Sequence, residues 1–356
     1  MIKVLITEII ILEKEGVSVN ISPFKINNKI INMVSEIHSK LGKMEISLEY
    51  KKNLYLRKAS KIISVSSSCA IEANTLSIEE VEAIVNGKRV IAPPNEILEV
   101  KNAYEAYMKI DEFKPYSVKS FLYAHELLMT NLEEDAGNFR KGDVAVYKNG
   151  IPIHIGARPE YVNNLITDLF TWASMSDTNP LILACIIHYE IETVHPFSDG
   201  NGRMGRLWQS VILYNYNKLF ELIPIETLVY ENQQEYYDAI QNSRNVDDSA
   251  VFTEYMLDMI IRTIDAFNGD IKLLDNVKDQ YLNNLTKKEK EVLKIILSNF
   301  NLNDNITMEK LTDKINKSTP TIRIYLMKFT ELEILTSSGE NKGRKYKIND
   351  EILKKD

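Results

Sequence analysis

Apolar positions recur at helical spacing over most of this chain. From Asn27 to about Leu76, Ile30, Ile31, Val34 and Ile37 share a face, and Leu54, Leu56, Ile62, Ile63 and Val65 carry the period on. Residues 77–87, SIEEVEAIVNG, predict a capped helix, with Ser77 as N-cap, Glu79 and Glu80 in the first turn and Gly87 as the stop. The Pro93-Pro94 pair breaks the chain before a helix from Asn95 to Phe113, and further helices are expected over Val118–Thr130, Tyr161–Ser174 and Pro180–Val194. The last of these, LILACIIHYEI, is apolar nearly all round and so predicts a core helix. Helices over Gln233–Arg244 and Ala250–Phe267 complete the body, and the polar stretch Asp275–Asn284 reads as a boundary.

One segment breaks the helical period. DVAVYKNGIPIHIGARP alternates apolar and other residues around Asn149-Gly150, a two-residue hairpin signal. A lone hairpin is not stable in water, so this one must lie over another part of the chain. After the boundary, Thr307–Ile315 and Ser318–Leu332 have the form of a helix-turn-helix, and GENKGRKYKI supplies a wing between two short strands. A winged-helix domain and a small helical interaction or dimerisation module both fit that tail. The expected fold is mainly α in three parts: a helical region over 1–113, a core over 114–270 and a winged-helix domain over 283–356.

Composition adds limits. The start, MIKVLITEIIILEKEG, has a lysine and an apolar run, but Glu8 interrupts the run and no small-residue cleavage site follows, so a buried strand or helix start is expected rather than export. No segment approaches the roughly 18 uninterrupted apolar residues of a membrane span. The two cysteines, Cys69 and Cys185, lie far apart without metal-ligand spacing, which suggests neither a disulfide framework nor a zinc site and makes a reducing cytoplasm the expected compartment. From Asn283 to Asp356 there are 15 lysines and arginines against 11 acids, a net +4 on a chain whose total is −7. A basic tail on an acidic body hints at separate partners, DNA among them.

The chemistry concentrates in HPFSDGNGRMGR, His195 to Arg206. Glycine and asparagine tolerate left-handed backbone, so DGNGR can curl with its amide N–H groups inward, and ahead of a helix such a nest gains the positive end of the helix dipole. Arg203 and Arg206, three apart, project to a similar side with forked donors suited to phosphate oxygens. Asp199 has the wrong sign for a phosphate site unless a cation such as Mg²⁺ lies between. His195 stands beside the loop with a pKa range suited to proton transfer.

The stretch resembles the signature of the Fic domain, H-x-F-x-[D/E]-G-N-G-R-x-x-R, with every defined position filled, and the resemblance covers roughly Lys114 to Phe267. It implies a helical Fic core with a hairpin flap, and transfer of AMP from ATP to a hydroxyl of a target protein. It also implies roles: His195 takes the hydroxyl proton, Asp199 holds Mg²⁺ against the α- and β-phosphates, and Asn201 with the amides of Gly200 and Gly202 cradles phosphates. Arg203 neutralises the leaving pyrophosphate and Arg206 grips the γ-phosphate. Phe197 wedges the loop into the core. Val144, Ala145, Val146 and Tyr147, in a flap running from Val144 to Ile155, would pair with the target backbone. Tyr236 and Tyr237 fall where relatives place adenine-pocket residues, although a Tyr-Tyr pair on a helix also serves as plain core.

A second segment, SSSCAIEANTLS, resembles the family's inhibitory motif, [S/T]-x-x-x-E-[G/N], through Ser68 and Glu72; Ala73 departs from the pattern, and Asn74 lies one further on. A glutamate on Arg206 would occupy the donors that the γ-phosphate needs, within one chain. The alternatives are an ordinary surface salt bridge at Glu72, or a role for it in hydrolytic removal of AMP. Other readings of the whole are a Fic-type transferase of another phosphate-containing group and a DNA-binding regulator whose core senses nucleotide. Self-modification and oligomerisation are left open.

Overall fold

A computed structural model describes residues 24–46, 54–148, 150–275, 277, 279–300, 304–312, 314–315, 317–339 and 344–352. The N-terminal apolar run and Asn149 of the hairpin turn lie outside the described residues, as does much of the wing. The elements in order are α1 (Asn28–Ile46), α2 (Leu54–Ile71), α3 (Ile78–Val85), α4 (Pro94–Met108), α5 (Val118–Met129), β1 (Ala145–Lys148), β2 (Ile151–Ile155), α6 (Pro159–Met175), α7 (Pro180–Val194) and α8 (Asn201–Tyr216). A 3₁₀ turn (Lys218–Leu222) leads to α9 (Ile225–Glu231), α10 (Gln233–Val246), α11 (Ala250–Asp275), α12 (Asp279–Leu282), α13 (Lys287–Asn299), α14 (Met308–Thr312), α15 (Thr319–Glu331), β3 (Leu335–Ser338) and β4 (Lys345–Ile348). The chain divides between Ile264 and Asp265 into two compact units.

In the first unit α7 is the axis. It is buried on every side from Leu181 to Glu192, which is why its sequence shows no polar stripe. Helix α8 packs along it and brings Trp208, fully buried, against Phe121 of α5 and Phe170 of α6, with centroids 5.0 and 5.9 Å away. Asn179 caps α7 from its side chain onto the Leu181 amide, with Pro180 in the first turn. Ser77 caps α3 in a full capping box with Glu80, and Gly87 follows with φ 73°, as the sequence predicts.

Helix α2 docks on α4 and α9. Its buried face is partly apolar (Ile62, Val65, Cys69) and partly a run of serines at helical spacing. Ser60 donates to the Leu222 carbonyl (3.0 Å), Ser64 to the buried carboxylate of Glu226 (2.7 Å) and Ser67 to Thr227 (3.4 Å). Glu226 also accepts from Tyr107 and Ser210, so three elements converge on one carboxylate.

The hairpin pairs antiparallel, with a register irregularity between Val146 and Tyr147. Among helices α1 to α11 two ends differ from expectation by several residues. Helix α4 ends at Met108, not Phe113, because the chain must turn ahead of Pro115; Ile110 and Phe113 stay buried from that turn. Helix α11 runs eight residues past Phe267, since nothing in NGDIKLLD forces a stop.

The second unit has its own core, including Val292, Ile296, Leu311, Leu326, Phe329 and Tyr346. Helix α13 begins in a Thr286–Glu289 capping box, and Glu289 also holds Lys328 of α15 at 2.9 Å. Helices α14 and α15 fall on the two segments expected of a helix-turn-helix, the first shorter than expected. β3 and β4 pair antiparallel, and Ile306 exchanges both backbone bonds with Tyr346. Both cysteines are free and buried, and among the described residues no helix is long and apolar enough to cross a membrane.

Candidate active site

The site lies where α7 ends and α8 begins. His195 is the C-cap of α7, in left-handed conformation (φ 53°), with its N–H on the Ile191 carbonyl at 2.9 Å. Its Nδ1 faces the Glu192 carbonyl at 3.4 Å. A carbonyl can only accept, so Nδ1 carries the proton and Nε2 keeps the lone pair that a base needs. Burial lowers the pKa of the ring, Arg244 and Arg140 lower it further, and Glu192 opposes them. The imidazole is therefore neutral at neutral pH.

The loop from Pro196 to Gly200 is fixed from beneath. Phe197 is fully buried and lies flat on His125 of α5, with centroids 3.6 Å apart and ring planes 5° apart. His125 accepts from the Gly137 N–H at Nδ1 (3.0 Å) and so donates from Nε2 to the Asp199 carbonyl (3.0 Å). Gly200, the N-cap of α8, has φ 82°, and a β-carbon there would sit 2.7 Å from Met129 Sδ; both the angle and the space require glycine.

Asn201 has a different task from the phosphate contact expected of its side chain. Its carboxamide accepts from the Phe197 N–H and donates to the Phe197 carbonyl, both at 2.9 Å, and the residue is 3% exposed. It ties the loop shut, and what it can offer a phosphate is its backbone N–H. Asp199 is the exposed member: one carboxylate oxygen accepts from the Gly200 N–H at 2.6 Å and the other from Arg203 at 3.0 Å.

Both arginines are buried and both are held by carboxylates. Arg206 donates from Nε to Ser68 Oγ (3.1 Å), and from Nη2 to the Ser68 carbonyl (3.1 Å) and to Glu72 (2.6 Å). Burial is the largest influence on its pKa and lowers it; the Glu72 charge and hydrogen bond, together with Tyr236 and Glu192, outweigh burial and hold it above the ordinary arginine range. A β-carbon on Gly202 would lie 2.5 Å from the same Glu72 oxygen, so that carboxylate rests directly on the first turn of α8, where a helix attracts an anion.

Ala73, the departure from the inhibitory pattern, sits in left-handed backbone with φ 68°. Asn74 does the polar work one residue later: its amide donates to Glu99 at 2.7 Å and to the Glu96 carbonyl at 3.2 Å. Glu99 in turn takes Nη1 of Arg203 at 2.5 Å. Burial raises the Glu99 pKa, against the opposing pull of Arg203 and Asn74.

The adenine-pocket expectation divides. Tyr236 is fully buried, and its hydroxyl meets His188 (2.9 Å) and Glu192 (3.1 Å), so it is core and not a surface for a base. Tyr237 is 44% exposed, its hydroxyl accepts from Gln233 and it lies near enough to feel the charge of Glu72, so it alone of the pair is open to a ligand. In the hairpin, Val144 accepts from the Gly156 N–H just before β1, Ala145 and Val146 are half-buried, and Tyr147 is 64% exposed.

Three further residues escaped the sequence reading: His125, Arg140 and Glu99. His125 had a signal, a polar residue in the core positions shared by Phe121 and Leu128. Arg140 and Glu99 reach their partners across 55 and 104 residues, beyond any local pattern.

Comparison with known proteins identifies the family. The Fic/DOC family profile matches residues 115–213. Protein adenylyltransferase fic-1 of Caenorhabditis elegans is 26% identical over 280 residues, covering 75% of this chain and 52% of that protein. A probable protein adenylyltransferase of Aquifex aeolicus is 27% identical over 257 residues, covering 64% of this chain and 73% of that one. The chain spans about half the length of the animal relatives it matches. The crystal structure of a Fic family protein from Desulfovibrio desulfuricans G20 superposes with a TM-score of 0.68 at 30% identity, covering 92% of this chain and 98% of that one. With a likeness running almost end to end, and with the loop between α7 and α8 built as described, this chain belongs to the Fic family.

Proposed function

We propose that the protein transfers AMP from ATP to a hydroxyl side chain of a protein, and that Glu72 restrains it. The observation that carries this reading is the buried Arg206 held by a carboxylate lying on the first turn of α8. A site that accommodates an internal anion on a forked cation and a helix N-terminus is a site for a polyphosphate. Beside it, His195 Nε2 is free to accept a proton. The acceptor hydroxyl attacks the α-phosphorus, its proton passes to Nε2, the new P–O bond forms and the bond to pyrophosphate breaks. The work of the protein is positioning and charge neutralisation, as phosphoryl-type chemistry requires.

The residues fit Mg²⁺. Among the described residues no cluster of three or more acidic, cysteine or histidine side chains could hold a metal alone, and Asp199 offers a single carboxylate with 58% of its side chain exposed. That donor set suits an ion that arrives with nucleotide oxygens and keeps several waters. When bound, the ion would supply neutralisation of phosphate charge. Arg203 and the amides of Gly200, Asn201 and Gly202 would complete the cradle, Tyr237 would flank the base, and the half-exposed strand β1 would dock the target.

The test uses wild type, Glu72→Gly and His195→Ala with Mg²⁺ and ATP labelled at the α-phosphate, with cell lysate as acceptor. Label on Glu72→Gly, little on wild type and none on His195→Ala is the expected pattern; no label with any variant defeats the proposal. Label removed from modified protein by wild type but not by a Glu72 variant would favour the hydrolytic role instead.

The winged-helix reading of the C-terminal unit belongs to the same proposal, supported by α13 to α15, the β3–β4 pair and the Ile306 bridge. For DNA the face of α15 is sparing. Its two cations are Arg323 and Lys328, the second engaged by Glu289, and Ile324 and Met327 stand 66% and 51% exposed.

A further inference from the structure

The last turn of an α-helix leaves carbonyls without intrahelical donors, and at the end of α7 each of them has found one. Glu192 O receives His195 Nδ1 and Arg244 Nη2 (2.8 Å). Thr193 O receives His154 Nε2 at 2.8 Å, and Val194 O receives the Ala157 N–H at 3.1 Å and Arg140 Nη2 at 3.3 Å. His195 O receives Arg140 Nε at 2.7 Å, and Pro196 O the Arg140 N–H at 3.1 Å. Donors to four consecutive carbonyls thus come from the hairpin or its stem.

Arg140 is the centre of this arrangement. It is 3% exposed, and its remaining contacts go to the Gly142 carbonyl (2.7 Å) and the Ala157 carbonyl, the two sides of the hairpin stem. Gly156 shows how close the stem lies. A β-carbon there would come within 2.8 Å of Val144, 2.9 Å of Arg140 Nη2 and 3.1 Å of the His195 β-carbon.

We infer that Arg140 is a positioning residue for AMP transfer, fastening the hairpin stem and the His195 backbone into one piece so that a hydroxyl docked on the hairpin meets Nε2. This rests on the reading of His195 as the base. A planar fork with donors in three directions serves four carbonyls at once; a lysine ammonium in its place cannot reach all of them. Arg140 also sets part of the field at the imidazole. The charged and titratable groups that face it are Glu192 from α7, Arg244 from α10, His154 from β2 and Arg140. Removing the Arg140 cation therefore lets the imidazole pKa rise toward its ordinary value.

The test places Arg140→Lys and Arg140→Gln in the full Glu72→Gly chain and follows three quantities. These are affinity for Mg·ATP, the rate of AMP incorporation into the chain itself by intact mass, and the pH at which His195 titrates by NMR of its ring. Expected are Mg·ATP affinity within about twofold of the parent, incorporation slowed about tenfold or more by both substitutions, and an upward shift of the His195 titration in Arg140→Gln that Arg140→Lys does not show. Should Arg140→Gln fail to fold, incorporation by Arg140→Lys decides. Parental incorporation by Arg140→Lys overturns the inference, as does equal loss of nucleotide binding and transfer, which would make Arg140 merely structural. If the Glu72→Gly parent binds Mg·ATP yet incorporates no AMP into any acceptor, the transfer reading falls by itself; the His195 titration then decides the coupling, supported by the shift and overturned by its absence.

Discussion

Replacing Glu72 by Gln removes one charge from a pair whose members differ in exposure: the Arg206 side chain is 2% exposed and that of Glu72 32%. Breaking a fully buried pair by deleting one partner costs about 3–5 kcal/mol, and an exposed pair contributes about 0–1 kcal/mol. One open side puts this contact near 2 kcal/mol, since water screens Glu72 while Arg206 keeps only its Ser68 contacts. For a unit of this size about 1 kcal/mol moves Tm by roughly 2–4 °C, so the variant should melt roughly 4–8 °C lower without ligand. The same free energy must reappear in ligand binding. Wild type has to give up the Glu72 contact before a phosphate can use Arg206, and the variant does not. At about 1.4 kcal/mol per decade, Mg·ATP should bind the variant about 30-fold more tightly. Both proteins should carry His195→Ala so that no transfer disturbs the equilibrium, with thermal unfolding and calorimetric titration as the assays. A lower Tm with no gain in ATP affinity would refute the competition, reducing Glu72 to a structural salt bridge.

Acid should destabilise the protein over a defined window. Burial depresses His125 and His154 to about 4 and His188 to about 3, so between pH 6.5 and those values the unfolded chain binds more protons and stability falls as pH falls. Urea midpoints measured from pH 7 to 4 check this, and replacing His125 with Asn should flatten the slope. Asn201→Ala should lose about 2–4 kcal/mol by leaving both backbone groups of the buried Phe197 unpaired, read from denaturant unfolding. Glu99→Gln weakens the grip on Arg203 and should raise Mg·ATP affinity several-fold, additively with Glu72→Gln; a fall in affinity would mean that Glu99 presents Arg203 to the nucleotide. In a mobility-shift assay at low salt the full chain should bind duplex DNA weakly, and tight binding abolished by Arg323→Glu would reverse that expectation.

The helices were legible because their signals are local: the Ser77–Glu80 box, the apolar stripe of α5 and the unbroken apolar run of α7. The loop from His195 to Arg206 was legible for the same reason, twelve residues whose spacing matches a family signature. What sequence could not deliver were contacts made by folding. Glu99 reaches Arg203 only because α2, α3 and α4 pack together, and Arg140 reaches the His195 carbonyl only because the hairpin folds back on α7. Asn201 misled because a motif records that an amide is required without recording which way it faces. Tyr236 misled because adjacent residues on a helix point in different directions, one to the core and one to solvent.

Helix α2, which ends one residue before Glu72, is fastened to the body in good part by hydroxyls, with Ser60, Ser64 and Ser67 bonding to Leu222, Glu226 and Thr227. Water can take the place of each of those partners at little cost, whereas it cannot replace the neighbours of a leucine. A seam that mixes hydroxyls with Ile62, Val65 and Cys69 exposes less oily surface on parting than an all-apolar one, so the segment proposed to block the nucleotide is one that can come away and return at reduced cost.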